Sequence, residues 1–309
     1  MTKVLFVVGP TASGKTSLSI ELAKKFQGEI ICADSMQIYK GIHIASAAPT
    51  IEEKEGIPHH LFEFLDLDQE FSVAQYVKLA REKIREISLR NKLPIIVGGT
   101  GLYISSLLDN IEFTEQDVDT SLRNELETQF DDLGGEEMLR LLAEFDPDSA
   151  KRLHPNNRRR IIRCFEVYRQ TGKTITEQNL LSKQNKGYIS PLVIGVNFCD
   201  REVLYNRIHE RVDIMLQNGL LEEAKRNYNT SSKSGAFQAI GHKELHGYIE
   251  GNCSLQEATD HLKQQTRRYA KRQLTWFRRD QRINWFYPDN NSNFLFEVFN
   301  ITNDFLKEE

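Results

Sequence analysis

The chain has 309 residues, of which 39 % are apolar and 27 % charged, with a formal net charge of −4. This length and apolar share allow one large domain or a core with a second lobe, and no stretch approaches the roughly 18 apolar residues of a membrane span. The four cysteines, Cys32, Cys164, Cys199 and Cys253, are scattered with no C-x-x-C pair, and the N-terminal MTKVLFVVGP lacks a cleavage-site pattern. A disulfide scaffold, a zinc site and a secreted chain are therefore not expected, and a reducing cytoplasm is.

Val4 to Val8 is an apolar run that predicts a short buried strand. It leads into Gly9, Pro10, Thr11, Ala12, Ser13, Gly14, Lys15 and Thr16, which read GPTASGKT, a phosphate-binding loop of the G-x-x-x-x-G-K-[ST] type. Ser17 to Phe26 then has helical periodicity. In a strand–loop–helix context the loop and helix N–H groups converge on an anion, Lys15 adds a point charge and the Thr16 hydroxyl can ligate Mg²⁺. A bound di- or triphosphate follows.

Glu29 to Ala33 predicts a second strand, and it ends in Asp34 and Ser35. Ligands of parallel α/β sheets sit at the carboxyl ends of the strands, so Asp34 is expected in the phosphate cleft. Magnesium ligation and general base catalysis are both open to it, as is a plain turn cap. His59 and His60 read as a loop pair with no third ligand to make a metal site. Ser72 to Lys92 predicts a long amphipathic helix and Leu93 to Val97 a third strand. That strand ends in Gly98, Gly99 and Thr100, where a nucleotide-hydrolysing enzyme commonly has a magnesium-binding Asp. The difference suits a pyrophosphate that is held without being cleaved.

From Glu112 to about Lys186 the chain is charged and helical in period with no strand signal, and Pro147 and Pro155 fall at expected helix starts or breaks. Pro191 to Phe198 predicts a return to the sheet, Asp200 to Gly219 a helix, and Ile283 to Tyr287 a final strand. The expected architecture is α/β, a P-loop NTPase-like parallel sheet core with an inserted all-helical domain and a helical C-terminal part. The core spans 1–112 and 190–309 and the insertion 113–189. On the predicted helix after the fourth strand, Arg207 and Arg211 stand four residues apart on one face, as a diphosphate clamp or as surface partners of Glu202 and Glu210.

The negative net charge argues against a nucleic-acid partner, but its distribution argues for one. Arg158, Arg159, Arg160 and Arg163 form one basic cluster; Arg267, Arg268, Lys271, Arg272, Arg278 and Arg279 form another, interleaved with Tyr269, Trp276 and Phe277. A small-molecule kinase and a nucleotide-switched RNA-binding protein remain open on the loop alone; the Gly-Gly-Thr strand end argues against both.

Taken together, GPTASGKT, ADSMQIYKG, PHHLFE, VGGTGLY, HPNNRRRIIRCFEVYRQTGK, LYNRIHERVDIMLQNGL, QAIGHKE and RRYAKRQLTWFRR resemble the tRNA dimethylallyltransferases, in order and over nearly the whole chain. The resemblance implies transfer of a dimethylallyl group from dimethylallyl diphosphate to the exocyclic amine of the adenine 3′ of the anticodon. It implies Asp34 as general base, Lys15 and Thr100 as further catalytic residues, and both Asp34 and Thr100 against the tRNA, Thr100 between it and the reacting centre. It assigns the loop Gly9 to Thr16 and Arg211 to the diphosphate, and Mg²⁺ to Thr16. It also assigns Ser35, Met36 and Gln37 to the flipped base, and Arg123, Arg159, Arg160, Ile161, Ile162 and Arg163 to the tRNA anticodon stem-loop. Nothing in it demands an oligomer, so a monomer is expected. Prenylation of free AMP or ATP is disfavoured by the basic insertion. Two positions depart from the family pattern: a G-T-A-K-P segment reads Ala45-Ser46-Ala47-Ala48-Pro49 here, and a usual Tyr is His242.

Overall fold

A computed structural model describes residues 1–111, 113, 120–184, 187–228 and 239–308. Parts of the expected helical block (112, 114–119, 185–186), and Gln238 of the QAIGHKE motif, lie outside the described residues. Contacts divide the chain into Met1–Leu108 with Tyr188–Glu309, and Asp109–Gly187.

In chain order the first unit opens with β1 (Thr2–Val8), α1 (Lys15–Phe26), β2 (Gly28–Cys32), two short helices α2 (His43–Ser46) and α3 (Ile51–Lys54), β3 (His59–His60), α4 (Val73–Leu89), β4 (Leu93–Gly98) and α5 (Gly101–Leu108). The second unit is helical among its described residues: α6 (Thr120–Phe145), α7 (Pro147–Arg152), α8 (Arg158–Thr171) and α9 (Ile175–Gln184). The first unit resumes with β5 (Ile189–Val196), α10 (Arg201–Gln217), α11 (Leu220–Tyr228), a 3₁₀ turn at Lys243–Leu245, α12 (His246–Ile249), α13 (Leu255–Phe277), β6 (Ile283–Phe286) and α14 (Phe294–Lys307).

The strands form one parallel sheet in the order β3-β2-β4-β1-β5-β6. β1 lies between β4 and β5, so it needs an apolar side chain on both faces, and Val4 to Val8 are all fully buried. One face is covered by α1 through Leu18, Leu22 and Ala23 and by α14 through Val298 and Phe305. Another layer is built from α4, which buries Tyr76, Val77, Ala80, Ile84 and Ile87 and stacks Tyr76 on Tyr103 of α5 at 4.0 Å. The spacing of these α4 residues is that of a helix with one apolar stripe, and Ser72 and Gln75 cap its start with a reciprocal pair of hydrogen bonds.

The histidine pair expected in a loop is instead part of the sheet. His59 and His60 pair with Ile30 and Ile31 as a two-residue edge strand. His60 donates to Glu29, which also takes a bidentate Arg90 guanidinium. Burial alone would raise the Glu29 carboxyl; the Arg90 and His60 bonds outweigh it and hold it below the ordinary carboxylate value.

In the second unit, Leu126, Met138, Leu142, Ile161, Ile162, Cys164 and Phe165 form the core. α6 is broken at Gly134, whose φ of 76° and ψ of 165° leave the helical region. A Cβ on the neighbouring Gly135 would collide with the Pro155 backbone. Pro147 opens α7, where its missing N–H is not needed, and Asp146 caps that helix through Ser149 N–H at 3.0 Å.

The carboxyl ends of β2 and β4 approach at backbone distance. Ala33 N–H donates to Val97 O at 2.7 Å and Ala33 O accepts from Thr100 N–H at 3.1 Å. A Cβ on Gly98 would strike the Ala33 carbonyl, which belongs to the backbone and has no rotamer to escape by. Gly98→Ala is therefore expected to destabilise the first unit by about 1–3 kcal/mol, read as a lower urea midpoint at an unchanged slope.

Candidate active site

The phosphate loop follows from its residues one by one. Gly9 has φ 148° and lies against the Val196 carbonyl at the end of β5, where a Cβ would collide. Ala12 and Gly14 take left-handed φ values of 63° and 92°, turning the chain so that α1 starts at Lys15 with no side-chain cap. The first N–H groups of α1 are thus left for a ligand, with the positive end of the helix dipole behind them. Arg207 of α10 braces the turn by donating to Ala12 O at 2.9 Å while its guanidinium rests on Phe198.

Lys15 folds back over the loop, its Nζ donating to Pro10 O at 2.6 Å. Burial, followed by the nearby Arg211 guanidinium, lowers its pKa to about 7, and Asp34 acts in the opposite direction. Burial also lowers Arg211, with Asp34 opposing. Lys15, Arg211 and Asp34 thus meet in a cavity of about 250 Å³, whose wall also carries Lys243 and Arg272. Its wall includes Thr11, Lys15, Thr16, Asp34, Arg211 and Gln273, with Gly98 and Gly99 at the end of β4. Thr16 is exposed at the start of α1 and also lines an adjoining groove.

Asp34 is both a turn cap and a cavity group. Its Oδ1 accepts from Met36 N–H at 2.9 Å, which fixes the carboxylate plane and leaves Oδ2 without a protein partner among the described residues. Thr100 ties this turn to the β4 turn: its Oγ1 accepts from Ser35 N–H at 2.9 Å and donates to Ser35 Oγ at 3.3 Å. Gln37 also lines the cavity, and its Nε2 donates to Ser46 O and Ala47 O at 3.2 and 3.1 Å.

The arginine pair on α10 divides its contacts. Arg211 faces the cavity, whereas Arg207 holds Ala12 O, and both line the adjoining groove. No ion pair joins either to Glu202 or Glu210 among the described residues.

Sequence reasoning passed over Gln273. Buried on α13, it accepts from Thr11 N–H at 2.8 Å and donates to Gly99 O at 3.0 Å, bridging the phosphate loop and the β4 turn. Gly99 leaves room for that amide, since a Cβ would occupy its place. Leu262, Thr266, Tyr269 and Gln273 all line the cavity at helical spacing, so a Gln at a position where the period demands a core residue was the available signal. Burial, then the Asp34 charge, pushes the Tyr269 phenol up, which keeps it a neutral hydroxyl.

In the second unit, Arg159 and Arg160 are exposed and carry no ion-pair partner among the described residues. Arg123 and Arg163 both engage the buried Glu166, at 3.7 and 3.2 Å. The side chains of Ile161 and Ile162, two residues expected to contact RNA, lie in the core: 0 % and 2 % exposed, they pack with Leu126 and Leu142. An amphipathic α8 can present its arginines outward only by turning these two inward.

Fold and cavity together define a P-loop-type α/β enzyme with buried cations facing a single carboxylate at the loop. Comparison with known proteins narrows the class. The model of the IPP transferase family matches residues 37–280. The tRNA dimethylallyltransferase of Thermoanaerobacter sp. (strain X514) is 46 % identical over 298 residues, 94 % of each chain. A full-length tRNA isopentenylpyrophosphate transferase from Bacillus halodurans has a crystal structure that superposes with a TM-score of 0.74 at 40 % identity, covering 99 % of this chain and 97 % of its own. A eukaryotic dimethylallyltransferase acting on tRNA gives a TM-score of 0.85 at 32 % identity, covering all of this chain and 82 % of its own. The chain belongs to the IPP transferase family.

Two outcomes are expected of this site. An anion on Lys15 favours its ammonium form, so a group half-protonated near pH 7 takes up a proton on binding. Pyrophosphate affinity should fall as pH rises from about 7 to about 9, and the proton uptake seen by calorimetry in buffers of different ionisation enthalpy should shrink in Lys15→Met. Gln273→Leu strands the Thr11 N–H and the Gly99 carbonyl, so it should cost about 1–3 kcal/mol of stability and weaken pyrophosphate binding.

Proposed function

We propose that this chain transfers a dimethylallyl group from dimethylallyl diphosphate to the exocyclic amine of the adenine 3′ of the anticodon in tRNA, releasing diphosphate. The observation that carries the reading is a cavity that joins a phosphate cradle to one carboxylate, Asp34, the only acidic side chain in its wall among the described residues. Phosphoryl-transfer sites of this loop type place a strand-end Asp on the metal. Here the strand beside β1 ends in Gly98, Gly99 and Thr100, which suits a diphosphate that departs intact.

The chemistry balances with these groups. A bond forms between the amine nitrogen and C1 of the prenyl group as the C1–O bond breaks, and the C–O electron pair leaves with diphosphate. The displaced amine proton passes to Asp34, whose Oδ1 is occupied by Met36 N–H, so Oδ2 is the receiving oxygen. Lys15, Arg211 and the amides at the start of α1 stabilise the charge that grows on the leaving group. The Gly9–Thr16 loop holds the diphosphate. Magnesium, when bound, adds positive charge to the departing oxygens. The Thr16 hydroxyl, exposed at the start of α1 in the cavity wall, is the group that would hold it.

Ser35, Met36 and Gln37 line the place of a base extruded from an unpaired loop, where unstacking costs least. Thr100 stands between that base and the reacting centre. Arg159 and Arg160 take the anticodon stem-loop, and Arg123 and Arg163 flank them, oriented by Glu166. Ile161 and Ile162 contribute from inside, as the packing that sets α8.

Labelled dimethylallyl diphosphate with Mg²⁺ and unmodified tRNA, run beside AMP and ATP, tests the reading. Label in tRNA alone, at the base beside the anticodon, is expected; label in AMP or ATP, or none, overturns it. Asp34→Ala should slow transfer by about 10²–10⁴-fold with pyrophosphate binding retained. Arg159→Glu with Arg160→Glu should weaken tRNA binding and flatten the dependence of log K on log salt by about one for each phosphate no longer neutralised. The unit should stay folded, since neither arginine holds an ion pair among the described residues.

A further inference from the structure

Glu223 on α11 is 2 % exposed and carries three hydrogen bonds. Its Oε2 accepts from Ile44 N–H at 2.8 Å, and its Oε1 accepts from Ala45 N–H at 2.9 Å and from His242 Nε2 at 2.9 Å. Ile44 and Ala45 are the second and third residues of α2, whose N-cap position is Ile42, a side chain with nothing to offer those amides. Glu223 supplies the missing cap from a helix almost 180 residues further along the chain. Because a carboxylate only accepts, the His242 Nε2 must carry the proton, which sets the imidazole's orientation.

The residues beside these contacts line the cavity. On the α2 side they are Ala45, Ser46 and Pro49, and on the His242 side Ile240 and Lys243. The far end of α2 is held as well, since the Gln37 amide donates to the Ser46 and Ala47 carbonyls. Val212, Leu220, Leu245 and Leu262 surround the junction with apolar surface. Burial would raise the Glu223 carboxyl; His242 and the two amides outweigh it and keep it below the ordinary carboxylate value, so the cap stays charged.

We infer that Glu223 is a positioning residue for transfer to the base: through α2 on one side and His242 on the other, it sets the spacing of two cavity walls. The cradle for diphosphate is made by the Gly9–Thr16 loop and Arg211; none of these residues hydrogen-bonds Glu223, although Ile44 shares the adjoining groove with Lys15, Thr16 and Arg211. The role therefore separates from anion binding: losing the pair should disturb the acceptor base, whose neighbour Gln37 is tied to α2, and leave the diphosphate site as it was.

This inference rests on the transfer reaction proposed above. Its test uses the full chain in five forms: wild type, Glu223→Gln, His242→Leu, His242→Gln, which retains an N–H donor of similar reach, and the double variant Glu223→Gln with His242→Leu. Thermal unfolding and pyrophosphate binding by calorimetry check folding and the phosphate site. Glu223→Gln and His242→Leu are expected to lower kcat for tRNA prenylation by about tenfold or more, with pyrophosphate affinity within about twofold, and His242→Gln to recover most of the rate. The double variant Glu223→Gln with His242→Leu should be no worse than the weaker single one. Full rate in Glu223→Gln, or an equal loss in both His242 variants, overturns the positioning role while leaving the proposed reaction standing. A parallel loss of pyrophosphate binding also overturns it, because the residue would then support the whole site. A wild-type protein that transfers no label overturns the reaction itself, and this role with it.

Discussion

The cavity depends on strand ends held at backbone contact. Parallel strands lie a fixed distance apart, yet the turns after β2 and β4 come closer still, because Gly98 offers no Cβ to the Ala33 carbonyl. That approach lets Ala33 O take the Thr100 N–H and lets Thr100 reach Ser35, so the turn carrying Asp34 is locked to its neighbour through three hydrogen bonds. Gln273 performs the equivalent connection between the β4 turn and the phosphate loop. Position follows from these polar ties, and the charges of Lys15, Arg211 and Asp34 meet only because the backbone has already been brought together.

Charge in this protein is arranged by depth more than by amount. In the sheet unit, Lys15 and Arg211 are cations whose own burial works against their charge, a state that an incoming anion relieves. In the helical unit, the arginines on and beside α8 differ in their partners, and Arg158 and Arg169 pair with the exposed Asp131 and Glu125. Arg159 and Arg160 stay in solvent, where a guanidinium keeps its hydration, whereas Arg123 and Arg163 are oriented by a carboxylate that is itself buried. A net charge of −4 conceals both arrangements.

Much of the fold was legible because its signals are local. Val4 to Val8 is apolar without interruption since β1 is buried on both faces, and GPTASGKT follows it directly. The α4 stripe and the Pro147 start of α7 were readable for the same reason. β3 was not, because a two-residue edge strand has no period to detect and its pairing with Ile30 and Ile31 is a tertiary fact. The short helix α2 was equally hidden: its cap comes from Glu223, and no sequence window contains both. Asp34 and Arg211 could be placed by strand-end and helix-face arguments. Gln273 and Glu223 could not, since a single polar residue on an apolar helix face looks like noise until its partners are seen. Ile161 and Ile162 lie inside for a local reason: a helix sends neighbours to different sides, so the turn that exposes Arg159 and Arg160 buries the two residues after them.

Glycine also decides where the indoles of this protein lie. There are two tryptophans, and each rests ring-against-glycine: Trp276 on Gly101, where α5 leaves the β4 turn, and Trp285 on Gly195 in β5. Their indoles therefore sample different surroundings, one next to the turn that forms the cavity and one on the flank of the sheet. Intrinsic emission from this chain has two spatially assigned sources, and exchanging either indole for phenylalanine isolates the other. The molecule thus carries its own optical label at the turn where the β4 strand meets the site, with no dye attached.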